Sequence, residues 1–406
     1  MATPIGLAHV AVVSFLAARL APTGSFWLSL AGGAALAREA DLRGMRAGYA
    51  SSAAAMLETV AIVGPLRFNA PLTQALSAPL LGAMHARGRG PFAQFAACLA
   101  IRLLHYTVLT AFAVFVLLGP NGYAGSYQTL FGWLPLLPGG LAGALILTAI
   151  GNGVLAIFFS VIQTGFYRHA LDGWSARALE QSPSRLARPP AALEPGGTDP
   201  RIGLLAATLV TLVLLSSLSW IVLTAVAAWL AAVGVLARHR DRDVLRVGLL
   251  LALIVGAGTL SASLLGGLGW DQAAARCVRG ALLVLVPTWL RLAAGSAGLR
   301  EAFHRTLLRL GRVPGAHESD AILSQLDSGS LLAGSANALR DRLRGVSPRP
   351  LPITGAVLTW AALEAQSLPI NAPKLASQLR LRPRDGALAV SVLLPVGVLA
   401  ATLAPS

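Results

Sequence analysis

Lysine is almost absent from this 406-residue chain: Lys374 stands alone beside 31 arginines. A P-loop needs a lysine after its glycines to reach the phosphates. Lys374 sits in Ala-Pro-Lys-Leu, so the chain does not hydrolyse nucleotide by that route. Cysteine is as scarce. Cys98 and Cys277 lie in or beside apolar tracts with no Cys-x-x-Cys and no Cys/His cluster, which argues against a disulfide framework and a structural zinc. The seven histidines form no His-Glu-x-x-His and no spaced pair, so an intramembrane metalloprotease is not indicated. No Asp-x-x-x-Asp pair stands inside an apolar tract to hold magnesium for prenyl-phosphate chemistry. Gly295-Ser-Ala-Gly298 reads as a helix end rather than a nucleophile elbow. The chain is therefore expected to be no enzyme, with no metal and no cofactor.

Charge is also thin. Only 12% of the residues are charged against 55% apolar, and the mean hydropathy is +0.68. One soluble core cannot hide that much apolar surface, so the lipid bilayer is the expected partner. The net charge of +15 does not indicate a nucleic-acid partner, because the arginines flank apolar tracts instead of forming a groove-reading surface.

The expected fold class is all-α, a polytopic integral membrane protein with about 11 transmembrane helices and amphipathic cytoplasmic helices. Short tracts at 5–21, 24–37, 49–65 and 70–85 are followed by longer ones at 93–119 and 139–166. Between the last two, Gly119-Pro-Asn-Gly-Tyr-Ala-Gly-Ser-Tyr-Gln carries no charge and reads as an outside loop. Residues 202–237 read as a hairpin broken at Ser216-Ser217-Leu-Ser219, and 245–268 and 280–298 as two further spans. Of the last two apolar tracts, 351–367 reads as re-entrant or flat and 387–404 as the final span. These divide the chain into a six-helix membrane domain (1–167), a cytoplasmic linker (168–201), a four-helix membrane domain (202–298), an amphipathic region (299–349) and a C-terminal part (350–406). Met1-Ala-Thr-Pro lacks a basic signal-peptide start, so the first tract is expected to be retained. The positive-inside rule then places the N-terminus in the cytoplasm of a bacterial inner membrane, with the arginine-rich loops inside.

Polar groups within apolar tracts are candidates for function, because lipid makes them costly. Glu58, Arg102, His105, Asn152 and Gln163 are the candidate substrate-binding residues, and Gln74, Arg291 and Glu364 are further polar groups of this kind. Glu58 lies too deep to reach an interface, and Arg102 is its expected partner. Arg102 and His105 are three apart and share a helical face. That face either neutralises a carboxylate or binds an anionic substrate. Residues 299–349 carry a different pattern. Apolar 299, 303, 307 and 310 alternate with Arg300, Arg305 and Arg309, and a second segment ends in Arg340-Asp-Arg-Leu-Arg344-Gly345. Such helices lie in the headgroup layer or dock a soluble partner.

The order of features in 202–349 resembles the transmembrane T component of energy-coupling factor (ECF) transporters. The resemblance rests on Leu-rich hairpins, on Gly280-Ala-Leu-Leu-Val-Leu-Val-Pro-Thr-Trp-Leu-Arg-Leu-Ala-Ala, and on Leu299-Arg-Glu-Ala-Phe-His-Arg-Thr-Leu running into amphipathic helices. That family's coupling helices end in Ala-Arg-Gly, whose arginine docks in an ATPase groove. The nearest counterpart here is Leu343-Arg344-Gly345, while the literal Ala-Arg-Gly stands at 86–88. The first six tracts look similar to a substrate-binding S component. The resemblance implies uptake of a small molecule such as a vitamin, driven by separate P-loop ATPase subunits docking on 299–349 through Arg305, Arg309, Arg340, Arg344 and Gly345. A membrane-embedded enzyme of lipid or envelope metabolism and a non-transporting scaffold are the alternatives.

Overall fold

The computed structural model describes residues 3–20, 25–64, 69–133, 138–175, 197–236, 242–326, 330–347, 350–367 and 381–403. Among them the chain is helical without strands. The first half runs α1 (Pro4–Leu20), α2 (Ser25–Arg43), α3 (Met45–Val63), α4 (Asn69–Ala86), α5 (Pro91–Ala111), a π-helical stretch (Phe112–Leu118), α6 (Gly119–Phe131) and α7 (Gly140–Asp172). The second half runs α8 (Pro200–Ser216), α9 (Trp220–Leu236), α10 (Arg242–Leu265), α11 (Trp270–Arg309), α12 (Ala316–Gln325), α13 (Ser330–Leu343), α14 (Pro350–Ser367), α15 (Pro383–Ser391) and α16 (Leu393–Leu403).

Five helical runs among the described residues are long and apolar enough to cross a membrane: Pro91–Phe131, Gly140–Asp172, Asp243–Leu265, Trp270–Arg309 and Asp385–Leu403. This replaces the expected count of about 11. The reason is visible in α1 and α2: α1 has 17 residues, short of the about 20 a span needs, and α2 carries Arg38, Glu39, Asp41 and Arg43. Their residues Leu7, Phe15, Leu30 and Leu36 are fully buried, as in core helices. The lipid-facing candidates are different helices. Leu104, Val108 and Phe115 of the α5 run, Val154 and Phe158 of α7, and Leu250 and Leu253 of α10 stand exposed. An apolar surface of that extent fits a membrane-embedded protein.

Two cores hold the molecule together. The first joins α1, α2 and the end of α7 to Leu323 of α12, Leu339 of α13 and Val357, Leu358 and Trp360 of α14. Most of the large side chains of 351–367 among the described residues lie inside the first core. The second core packs α8, α9 and the first part of α11 around Trp229 and Trp289, whose rings meet edge to face at 5.0 Å. The expected linker lies mostly at 176–196, outside the described residues, as do Lys374 and Arg380.

Two glycines shape the long runs. Gly295 has φ 70 and ψ 167 inside α11, so the 40-residue helix is two limbs meeting at a sharp corner. L side chains avoid that region of the map, and glycine enters it without a steric penalty. The corner turns the second limb, which carries Arg300, Arg305 and Arg309, into the first core. Gly119, at φ 71, ends the π-helical stretch and redirects the chain into α6. The segment 119–128, expected as an outside loop, is therefore helical. It crosses the α10–α11 turn, where Ser126 donates to the Ala262 carbonyl and Thr129 to that of Leu265 at 2.6 Å.

Candidate functional site: a buried polar core around Arg102

Arg102 and Gln163, both candidates from the sequence, come together between α5 and α7. Arg102 is 4% exposed. Its Nη2 donates to Oε1 of Gln163, whose Nε2 donates to the Ser77 hydroxyl of α4 at 2.6 Å. Ser77 passes its own hydrogen to the Thr73 carbonyl at 2.6 Å. The Phe159 ring lies 5.5 Å from the guanidinium carbon, close enough for a cation–π contact. Cys98 lies one turn earlier on α5 beside Arg102 and faces Ser160 and Thr164 of α7. The Tyr167 hydroxyl closes the group from the α7 side, held against Gly33.

Several polar atoms here lack a hydrogen-bond partner among the described residues: Arg102 Nε, Ser160 Oγ, Thr164 Oγ1, Tyr167 OH and Gln74 Oε1. Each such group costs about 1–3 kcal/mol of desolvation unless something fills it. Arg102 makes no ion pair with a carboxylate among the described residues. The cluster is thus a positively charged, polar group of side chains inside an apolar helical packet, with chemistry suited to a small anion or a polar solute carrying a negative group.

The remaining candidates lie apart from it. Glu58 does not pair with Arg102. Its Oε2 stands 3.3 Å from Nε of Arg300, and both residues are buried. Arg300 also donates from Nη2 to the Leu323 carbonyl at 2.6 Å, so the pair ties α3 to the second limb of α11 and to α12. The partner was misjudged because the Gly295 corner, which carries Arg300 inward, has no period or charge pattern in the sequence. His105 is half-buried against Tyr106. Asn152 donates to the Thr110 hydroxyl at 3.0 Å and joins α7 to α5 farther along the packet.

A second buried polar cluster joins Glu364, one of the polar groups marked in the sequence, to two residues that carried no local signal. His9 of α1, Ser335 of α13 and Glu364 of α14 meet inside the first core. The His9 ring nitrogen lies 2.9 Å from the Ser335 hydroxyl, which donates to Glu364. The serine stands between histidine and carboxylate and gives its proton to the carboxylate, so it is not arranged for attack through a histidine base. The three residues clamp three helices whose sequence separation hides their contact.

At one end of the molecule His85 of α4 is held between two carboxylates. Nδ1 lies 3.0 Å from Asp41 and Nε2 lies 3.0 Å from Asp172, the last residue of α7. Arg38, also on α2, pairs with the other oxygen of Asp41. Partial burial alone would lower the His85 pKa, but the hydrogen bonds to Asp41 and Asp172 outweigh it and hold the imidazole above its ordinary value. A raised folded pKa gives stability that is fully present below about pH 6.5 and lost as pH rises through the folded pKa. The thermal midpoint of the wild type in detergent should exceed that of His85→Gln most at about pH 6, with the gap shrinking by about pH 8.5. A gap independent of pH would show that the clamp acts without the charge.

No protein-family model, no curated protein and no solved structure matches the chain.

Proposed function

We propose that the chain is the membrane subunit of a transporter for a small solute with a negatively charged group, and that Arg102, Gln163 and their neighbours form its binding site. The observation that supports this reading is the guanidinium of Arg102, buried in an apolar packet without a carboxylate among the described residues. Unpaired intramembrane charge is costly, and it is typically kept where it meets a substrate or ion. The test is a thermal-shift screen of the purified protein in detergent against small mono- and dicarboxylates and phosphate esters. At least one anion should raise the midpoint of the wild type and leave Arg102→Met unmoved. A flat wild-type response across the panel would remove the anion-binding reading.

The resemblance to ECF transporters adds a driving partner to this proposal, a pair of separate P-loop ATPase subunits. The apolar face of 299–349 is already used inside the molecule, where Leu323, Leu326 and Leu339 are buried. Docking would fall on the outward basic edge instead. Arg305 makes an i,i+4 pair with Glu301 at 2.9 Å and Arg344 an i,i+3 pair with Asp341 at 3.2 Å. The Arg344–Asp341 pair is exposed on both sides, and such pairs contribute little stability and are readily exchanged for a partner's carboxylate. Arg309 and Arg340 are exposed on the same segment. Gly345, at φ 79, follows directly after α13, and Arg344 is 67% exposed at that end. Pull-down of ATPase subunits by the tagged wild type should be lost with Arg344→Ala and weakened with Arg344→Lys, since lysine lacks the bidentate fork. Equal recovery by all three proteins would end the coupling proposal.

Orientation follows from where the basic ends gather. Arg46, at the start of α3, reaches Glu318 of α12 at 2.6 Å, and the His85 clamp binds the ends of α2, α4 and α7. With Arg38, Arg43, Arg87 and Arg89 near the same ends, the positive-inside rule supports reading this side as the cytoplasmic one. A reporter fused at 325 should read as cytoplasmic and one at 124 as external.

A further inference from the structure

Away from the Arg102 core, the first limb of α11 carries Arg276 and Arg279, three residues apart on one helical face. Arg279 is only 6% exposed. Nε and Nη1 of Arg276 and Nε of Arg279 are buried without a hydrogen-bond partner among the described residues. Arg276 lines a cavity of about 250 Å³ between the first turn of α11 and the α8–α9 turn, with Ser219, Trp220, Asp271 and Gln272 beside it. Asp271 is the acid of this lining. Its Oδ1 accepts from Trp220 Nε1 at 2.7 Å, and it forms no ion pair with Arg276 among the described residues. Arg279 follows one turn later on the same helix, outside the cavity lining, and neither arginine has an ion-pair partner among the described residues to offset the cost of its burial.

The backbone around them leaves room for this arrangement. A Cβ at Gly119 would stand 2.6–2.9 Å from the Arg276 guanidinium atoms, and one at Gly122 would stand 3.1 Å from Nη1. The first turn of α6 accepts the arginine head because both positions are glycine. Trp220 lines the cavity, Trp270 opens α11 largely exposed, and Trp133 follows α6 in the same state. Tryptophans gather at the headgroup level of a bilayer, so the cavity stands at that depth rather than in the hydrocarbon.

We infer that Arg276 and Arg279 form a binding site for a phosphate group at the membrane interface. A carboxylate has two oxygens and one charge, whereas a phosphate offers more oxygens to two guanidinium forks and up to two charges to match theirs. The phosphate belongs either to an anionic lipid headgroup or to a free phosphate, and the two are separable. Native mass spectrometry of protein from dodecyl maltoside, supplemented with phosphatidylglycerol, reads the lipid. Thermal shift against inorganic phosphate in lipid-free detergent reads the free anion. The wild type should retain phosphatidylglycerol or gain stability with phosphate, and whichever probe works identifies the source. Arg276→Gln/Arg279→Gln should weaken that probe at least tenfold. Arg276→Lys/Arg279→Lys, which keeps the charge and loses the forks, should weaken it by a smaller factor. Arg89→Gln, an exposed arginine beyond the end of α4, should leave it unchanged. Binding of neither probe to the wild type overturns the inference without reference to any variant, and so does equal binding by the wild type and the glutamine pair.

Discussion

Glu58→Gln should be among the most damaging single substitutions in the first core. Glutamine keeps the shape of the side chain and removes the charge facing Arg300, which stands 3.3 Å away with 4% of its side chain exposed. Breaking a buried pair from one side strands the other charge and costs about 3–5 kcal/mol. Arg300 would still hold the Leu323 carbonyl, so its head cannot leave without breaking the α11–α12 contact as well. The expected readings are a large fall in the thermal midpoint in mild detergent and a fall in the yield of monodisperse protein. Arg300→Met should do comparable harm by stranding Glu58. The double variant Glu58→Met/Arg300→Met should recover most of the loss, because an apolar pair of similar volume removes both charges from the core. Failure of the double variant to recover would show that the two residues act through separate partners. A midpoint unchanged by Glu58→Gln would dismiss the pair as a stability element.

The membrane character was legible because it is a bulk property: apolar tracts and arginine-flanked loops are visible without knowing which helix touches which. The span count was not legible, and α1 shows why. Its apolar sequence suits lipid or protein equally well, and its 17 residues fall short of a full crossing, while Leu7 and Phe15 are buried against other helices. Polar side chains followed the same division. Glu58, Arg102 and Gln163 were found by their cost in an apolar setting, yet their partners were set by tertiary features. Arg300 reaches Glu58 across the Gly295 corner, and His9 reaches Ser335 across 326 positions of sequence. The pair Arg276 and Arg279 stood outside the candidates drawn from the sequence. Gly119 and Gly122, the positions that seat Arg276, looked like loop residues because a run of glycine, proline and asparagine usually marks a turn.

Arg102→Met should move stability and binding in opposite directions, and that opposition separates a binding residue from a structural one. Arg102 has no carboxylate to strand among the described residues, so removing its charge relieves the cost of a buried cation, about 2.5–3.5 kcal/mol at mid-membrane depth. The Gln163 oxygen loses a donor in exchange, which returns about 1 kcal/mol. The ligand-free variant should therefore melt above the wild type. Binding should fall in the same protein, because truncating the cation of a buried charge-assisted contact costs about 2–5 kcal/mol, or about thirtyfold to several thousandfold in affinity. Arg102→Lys should fall between, keeping the charge while losing the fork that reaches Gln163 Oε1. The measurement pairs thermal midpoints without ligand with titrations of whichever anion stabilises the wild type. A site kept for function sacrifices stability to hold its unpaired charge. Were Arg102→Met to melt below the wild type, as Glu58→Gln should, the guanidinium would be a brace between α5 and α7, and the solute site would have to be sought elsewhere in the bundle.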